Sequence, residues 1–272
     1  MLQKIKPKKF KLGIVGGGPG SWIGHVHRIS SRYDDKYEIV AGVFSRSVDK
    51  SRKFGQSIGL DKSRCYSNYK EMSEKEAKRK DGINVVAIMT PPSSHQIIAE
   101  NFIKKNIHVI SDKPFAGNLE QGKKLYKAIK NNKKIKYALT HNYSSYPMVR
   151  EAKNLVEKGK IGKVEYINVE YIQDWTDGNK ISKTNSKKVF KWKVDKKIVG
   201  VSAFSKKFSR VKFGHPEGYL DAFANIYKEF AEYLKTNTKK RFYFPNEEEG
   251  LETAKFIDAC KKSSLKKQWV KI

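Results

Sequence analysis

Between residues 10 and 140 the chain alternates short apolar runs with longer segments whose apolar residues recur at helical spacing. Phe10, Leu12, Ile14 and Val15 lead into a cluster of glycines, and residues 37–44 (YEIVAGVF), 83–89 (INVVAIM), 107–111 and 135–140 repeat the pattern. Runs apolar at nearly every position bury both faces of a strand, so strands of this kind separated by helices specify a parallel sheet covered on both sides. The intervening segments 22–32, 49–58, 94–105 and 118–131 read as helices, the last opened by Asn118 with Gln121 three residues on, a capping box. The pattern predicts an α/β fold with five or six strands in a doubly wound domain over residues 1–142.

Beyond it the pattern changes. Residues 146–158 read as a helix, and residues 163–175 (KVEYINVEYIQDW) alternate over a length that suits one antiparallel strand. Leu220, Phe223, Tyr227, Phe230 and Leu234 make a helical apolar stripe, more in keeping with core packing than with a ligand box. Pro245 precedes a helix over residues 247–262. Residues 143–272 are therefore expected to form a second domain.

Ligands of doubly wound sheets bind at the carboxyl ends of the strands. The residues there are small or polar: Gly16 to Ser21, Ser45 and Arg46, Thr90 and Pro91, Asp112 and Lys113, His141 and Asn142. Gly16 and Gly18, with Ser21 in the final small-residue slot, fit a dinucleotide-binding fingerprint. Glycines there allow a sharp turn and let a pyrophosphate approach main-chain N–H groups at the N-terminus of a helix that begins with Trp22 and Ile23. A flexible glycine turn is the alternative. His95, just after Thr90-Pro91-Pro92, is expected near the cofactor. The second strand ends without the Asp or Glu that would bind a ribose 2′-hydroxyl; Ser45 and Arg46 are instead placed to meet a 2′-phosphate. NADP is thus expected ahead of NAD, with a solvated Arg46 as the competing reading.

Composition changes this picture little. The 272 residues include 57 Lys and Arg against 28 Asp and Glu, a net charge of +29 that invites a nucleic-acid reading. Only nine of the basic residues are Arg, however, and the lysines are spread along the chain, which describes a solvated basic surface that steers anions. Nucleic acid is not expected as a partner. Cys65 and Cys260 lie far apart, so neither a disulfide framework nor a metal site is expected. No apolar run approaches bilayer length and no apolar core follows the basic N-terminus, so a cytoplasmic protein is expected.

The order of motifs is more specific. The glycine turn, a helix carrying VHR, then TPPSSH, DKP and THNYSSYPMVREAKNLVEKGKIGKV resembles the glucose-fructose oxidoreductase, inositol dehydrogenase and MocA family over residues 10 to about 198. The resemblance implies an NAD(P)-binding Rossmann domain and a second domain with an open antiparallel sheet holding a sugar, sugar acid or cyclitol. It implies that Lys113, in the family's E-K-P motif written here as Asp112-Lys113-Pro114, sits beside nicotinamide and substrate hydroxyl. A cation there favours an alkoxide and polarises a carbonyl. Asn142 and Trp192 then lie on the approach to the substrate.

The resemblance breaks after Gly200. The family's Asp-x-x-x-His pair and the strands around it are missing, and the chain passes straight to VSAFSKKFSRVKFGHPEGY. The second domain is therefore expected to be a shortened α+β domain. His141 and His215 are the remaining candidates for the proton carrier. Two readings follow: an NAD(P)-dependent oxidoreductase, or a dinucleotide-binding relative with impaired catalysis. Lost strands would leave a sheet edge exposed, so a homo-oligomer is expected.

Overall fold

The computed structural model describes residues 9–168, 218–236 and 241–272. Five strands form one parallel sheet: β1 (Phe10–Gly16), β2 (Tyr37–Val43), β3 (Val85–Met89), β4 (His108–Ser111) and β5 (Tyr137–Leu139), in the order β2-β1-β3-β4-β5. Five is the lower of the two expected numbers, and His141 follows the fifth strand. Between the strands run α1 (Trp22–Ser30), α2 (Val48–Ser57), α3 (Tyr69–Lys78), α4 (His95–Ile103) and α5 (Leu119–Asn131). After the sheet come α6 (Pro147–Glu157), α7 (Tyr219–Lys235) and α8 (Glu247–Lys266).

Local chemistry sets the helix starts. The side chains of Ser21, Ser47, Asn68 and Asn118 each accept a backbone N–H from the first turn. Gln121 returns its Oε1 to the Gly117 N–H, one residue before the cap, so the box expected at Asn118 is closed on one side only. The full reciprocal box occurs at Asn246 and Glu249, opening α8.

Both faces of the sheet are buried. Val15, Val86, Ile88, Val109 and Leu139 pack against Met72, Ile98, Phe102, Leu125 and Ile129 of α3 to α5. Leu12, Ile14, Val85, Ala87 and Ile110 pack against Ile226, Tyr227, Phe230 and Ala231 of α7. Each large apolar side chain buried in this way contributes about 1.5–3 kcal/mol.

The compact units are residues 1–150 with 218–272, and residues 151–217. α7 and α8, which follow residue 142 in the chain, pack with the first unit. The apolar stripe on α7 is the cause, since it has the second face of the sheet to cover. In the other unit, residues 163–168 have no sheet pairing among the described residues, and residues 169–175 of the expected strand lie outside them. An alternating strand forms a ladder only beside a partner.

The β4–β5 junction carries a pH dependence. Nδ1 of His108 accepts the Lys136 N–H at 3.0 Å, a bond only the unprotonated ring can make. Burial, then Lys136, lowers its pKa to about 4 from 6.5. A lowered folded-state value means that stability is whole above pH 6.5 and is lost as pH falls toward 4. We expect a loss of about 3 kcal/mol across that window. Urea titrations at pH 7 and pH 4 should show it, and His108→Asn, which keeps an acceptor, should remove it.

Candidate functional site

β1 lies between β2 and β3, so the chain leaves it in opposite directions in successive crossovers. The carboxyl ends of β1 and β3 flank this switch point, where open α/β sheets leave a crevice. Gly16, Gly17 and Gly20 sit there with φ of 92°, 63° and 74°, the left-handed region that glycine enters without penalty. A Cβ at Gly18 would fall 2.0 Å from the Phe44 carbonyl oxygen, so the loop lies directly on the end of β2.

Ser21 does not have the expected part in this turn. Its Oγ accepts the Gly24 N–H at 3.1 Å, making it the N-cap of α1. The close packing of helix on strand falls to Gly24, whose Cβ would lie 2.1 Å from the Gly17 carbonyl oxygen. The sequence reading missed Gly24 because the loop holds five residues between Gly18 and Gly24 where the fingerprint has two. Arg28, one turn on, donates to the Gly17 carbonyl at 2.7 Å and lies over the Phe54 ring. Trp22 and Ile23 are half-buried in the first turn. Gly24→Val forces backbone apart, at about 1–3 kcal/mol, and is expected to weaken dinucleotide binding about tenfold or more. Fluorescence titration against wild type measures it.

At the end of β2, Ser45 accepts the Ser47 N–H at 3.1 Å and Arg46 is exposed. At the end of β3, Thr90 accepts a hydrogen bond from Ser94 at 2.8 Å, and Pro91 is exposed. His95 is fully buried: Nε2 lies 2.7 Å from the Thr90 carbonyl and Nδ1 2.8 Å from the Pro114 carbonyl. It ties the end of β3 to the segment after Lys113 and offers no ring edge to a ligand. The expected contact with the cofactor is thus replaced by a brace.

Asp112 follows β4, its N–H bonded to the Ile88 carbonyl at 2.7 Å and its Oδ1 accepting from Thr140 at 2.9 Å. Burial by itself would raise its pKa, but His27, Thr140 and the Lys113 amide outweigh it and hold the carboxyl below its usual range. The Lys113 side chain beside it is exposed. His141 feels both: burial lowers its pKa, Asp112 and Glu249 oppose that, and Lys113 adds to it. The neutral imidazole is therefore favoured at pH 7. Asn142 is 4% exposed with its Nδ2 unpartnered, as is the Tyr146 hydroxyl. The sequence thus brings Lys113, His141 and Asn142 to one edge, while Trp192 and His215 lie outside the described residues. Among the described residues no cluster of three metal-ligating side chains occurs and no helix is long and apolar enough to cross a membrane.

A family model described as an oxidoreductase family with an NAD-binding Rossmann fold matches residues 10–141. The chain is 33% identical over 204 residues to the uncharacterized oxidoreductase YfiI of Bacillus subtilis, covering 74% of this chain and 50% of that one. It thus spans about half the length of that curated relative. The crystal structure of an oxidoreductase from Sinorhizobium meliloti is 31% identical with a TM-score of 0.79, over 97% of this chain and 100% of that one. An inositol dehydrogenase homolog from Azotobacter vinelandii, complexed with NADH and myo-inositol, is 31% identical with a TM-score of 0.55, over 57% of this chain and 41% of that one.

Proposed function

As the chain belongs to the Gfo/Idh/MocA family of oxidoreductases, we propose that it transfers a hydride between a nicotinamide dinucleotide and a secondary alcohol of a sugar, sugar acid or cyclitol. What supports this reading is that Lys113 follows β4 and His141 and Asn142 follow β5, at the same carboxyl edge of the parallel sheet as the glycine loop after β1. The loop fits a dinucleotide: Gly16, Gly17 and Gly20 hold the left-handed backbone of a tight turn, and α1 begins there with an N-terminus suited to a pyrophosphate.

Gly16, Gly18 and the first turn of α1 at Ser21, Trp22 and Ile23 would hold the pyrophosphate, with Thr90 and Pro91 flanking the crevice. Ser45 and Arg46, in a β2 terminus without a carboxylate, favour NADP over NAD. When bound, the dinucleotide takes up or returns the hydride. Lys113 stabilises negative charge on the reacting oxygen, and His141, kept neutral by its burial, accepts the hydroxyl proton. Asn142 offers an unpartnered amide to a substrate hydroxyl.

The second domain would be a shortened α+β domain with an open antiparallel sheet, in a homo-oligomer in the cytoplasm. The missing Asp-x-x-x-His pair supports a second reading, a dinucleotide-binding protein with impaired catalysis. Fluorescence titration with NADH and NADPH, followed by turnover on cyclitols and sugar acids, separates the two. Binding with turnover supports the enzyme; binding without turnover supports the impaired relative. Arg46→Ala is expected to weaken NADPH about tenfold, one lost charged contact, and to leave NADH unchanged; equal effects on both would return Arg46 to solvent.

A further inference from the structure

A buried polar chain beside Lys113 has no part in the reaction as described so far. His27, on α1, is 1% exposed, its Nδ1 2.7 Å from the Tyr227 hydroxyl and its Nε2 3.8 Å from Oδ1 of Asp112. Burial and the charge of Asp112 push Tyr227 ionisation far above the usual range, so the phenol keeps its proton. With the Tyr227 hydroxyl donating to Nδ1, the ring proton sits on Nε2, facing Asp112 and without a hydrogen bond of its own. Phe223 packs edge-on against the ring at 5.1 Å between centroids, and the hydroxyl of Tyr37 is used on the Tyr227 carbonyl. These contacts hold the His27 ring in one orientation.

We propose that His27 is a positioning residue for hydride transfer: fixed by Tyr227 with its proton on Nε2, it keeps Asp112 ionised and held beside Lys113 and His141. The inference rests on the roles proposed for those two residues. Asp112 is 8% exposed, and a carboxyl group so deeply placed prefers its neutral form unless donors surround it. Thr140 supplies one donor and the Lys113 amide another, and the Nε2 edge of His27 faces the same carboxylate at 3.8 Å, beyond hydrogen-bond distance but close enough to favour its charged form. A carboxylate there balances the positive charge formed when His141 takes the hydroxyl proton. The charged and titratable groups around this pair are His27 and Tyr227 on Asp112, and Asp112, Glu249 and Lys113 on His141.

The test is nuclear magnetic resonance of the full chain labelled in histidine nitrogens and aspartate carboxyls, together with dinucleotide titration and turnover. Wild type should show His27 as the Nε2–H tautomer and Asp112 ionised at mildly acidic pH. Tyr227→Phe should mix the tautomers, and His27→Gln should shift Asp112 protonation to higher pH. Both should leave dinucleotide affinity within about twofold and lower kcat about tenfold, the usual scale for a supporting hydrogen bond. An Nδ1–H tautomer, an Asp112 titration indifferent to His27→Gln, or an unchanged kcat in folded Tyr227→Phe would overturn the inference. If wild type binds dinucleotide but turns over no substrate, the catalytic reading fails, and the two spectra alone decide whether His27 controls Asp112.

Discussion

Replacing Lys113 by Ala is expected to lower kcat by about 10²–10⁴, the range spanned by a positioned proton-transfer or charge-stabilising group, while dinucleotide affinity changes far less. The side chain is exposed at the end of β4, so its loss removes no packing and should leave the thermal transition in place. In the proposed reaction it removes the positive charge beside the reacting oxygen, and with it the stabilisation of an alkoxide in one direction and a polarised carbonyl in the other. The pH dependence gives a second check. His141 is held below the ordinary histidine range mainly by burial, so the acid limb of the wild-type rate profile should lie below pH 6.5. Steady-state kinetics with the preferred dinucleotide measures both, and a Lys113→Ala enzyme with unchanged kcat would remove Lys113 from the centre.

Replacing Glu76 by Ala is expected to cost about 3–5 kcal/mol of stability, the penalty for stripping one partner from a buried ion pair. Glu76 and Arg64 are 1% and 6% exposed, and Glu76 accepts from Arg64 Nε at 3.0 Å, the Tyr66 hydroxyl at 2.7 Å and the Ile83 N–H at 3.1 Å. Without it Arg64 Nε, the Tyr66 hydroxyl and the Ile83 N–H lose their acceptor at once, and the guanidinium keeps only Asp81, whose carboxylate takes Nη1 and whose carbonyl takes Nη2, each at 3.3 Å. The surface pair of Lys75 with Glu71, four residues apart on the same helix, offers the contrast: there Lys75→Ala, which removes the ion pair and leaves the Ser67 bonds of Glu71 in place, is expected to cost about 0.5 kcal/mol. Urea unfolding of both variants provides the comparison.

The sheet was legible in the sequence because its strands leave no ambiguity of face. Val85 to Met89 is apolar at all five positions and buried at all five, and no amphipathic helix of that length reads the same way. Asn118 signalled a helix start through chemistry confined to four residues. What escaped depends on contacts distant in sequence. Gly24 looks like any small helical residue until Gly17 is brought against it. His95 seemed a ligand because it follows a strand end, although two carbonyls claim its ring. His27 gave no signal, since its partners Asp112 and Tyr227 stand 85 and 200 positions away along the chain. The stripe on α7 was legible as core, but its period does not say which core.

That stripe bears on how the molecule comes into being on the ribosome. All five strands are complete by Leu139, yet the face formed by Leu12, Ile14, Val85, Ala87 and Ile110 is covered by residues that follow position 218. Synthesis at roughly 5–20 residues per second leaves that apolar surface without its helix for several seconds after β5 emerges. A nascent chain halted before α7 should therefore recruit chaperones, and one extended past Lys235 should release them.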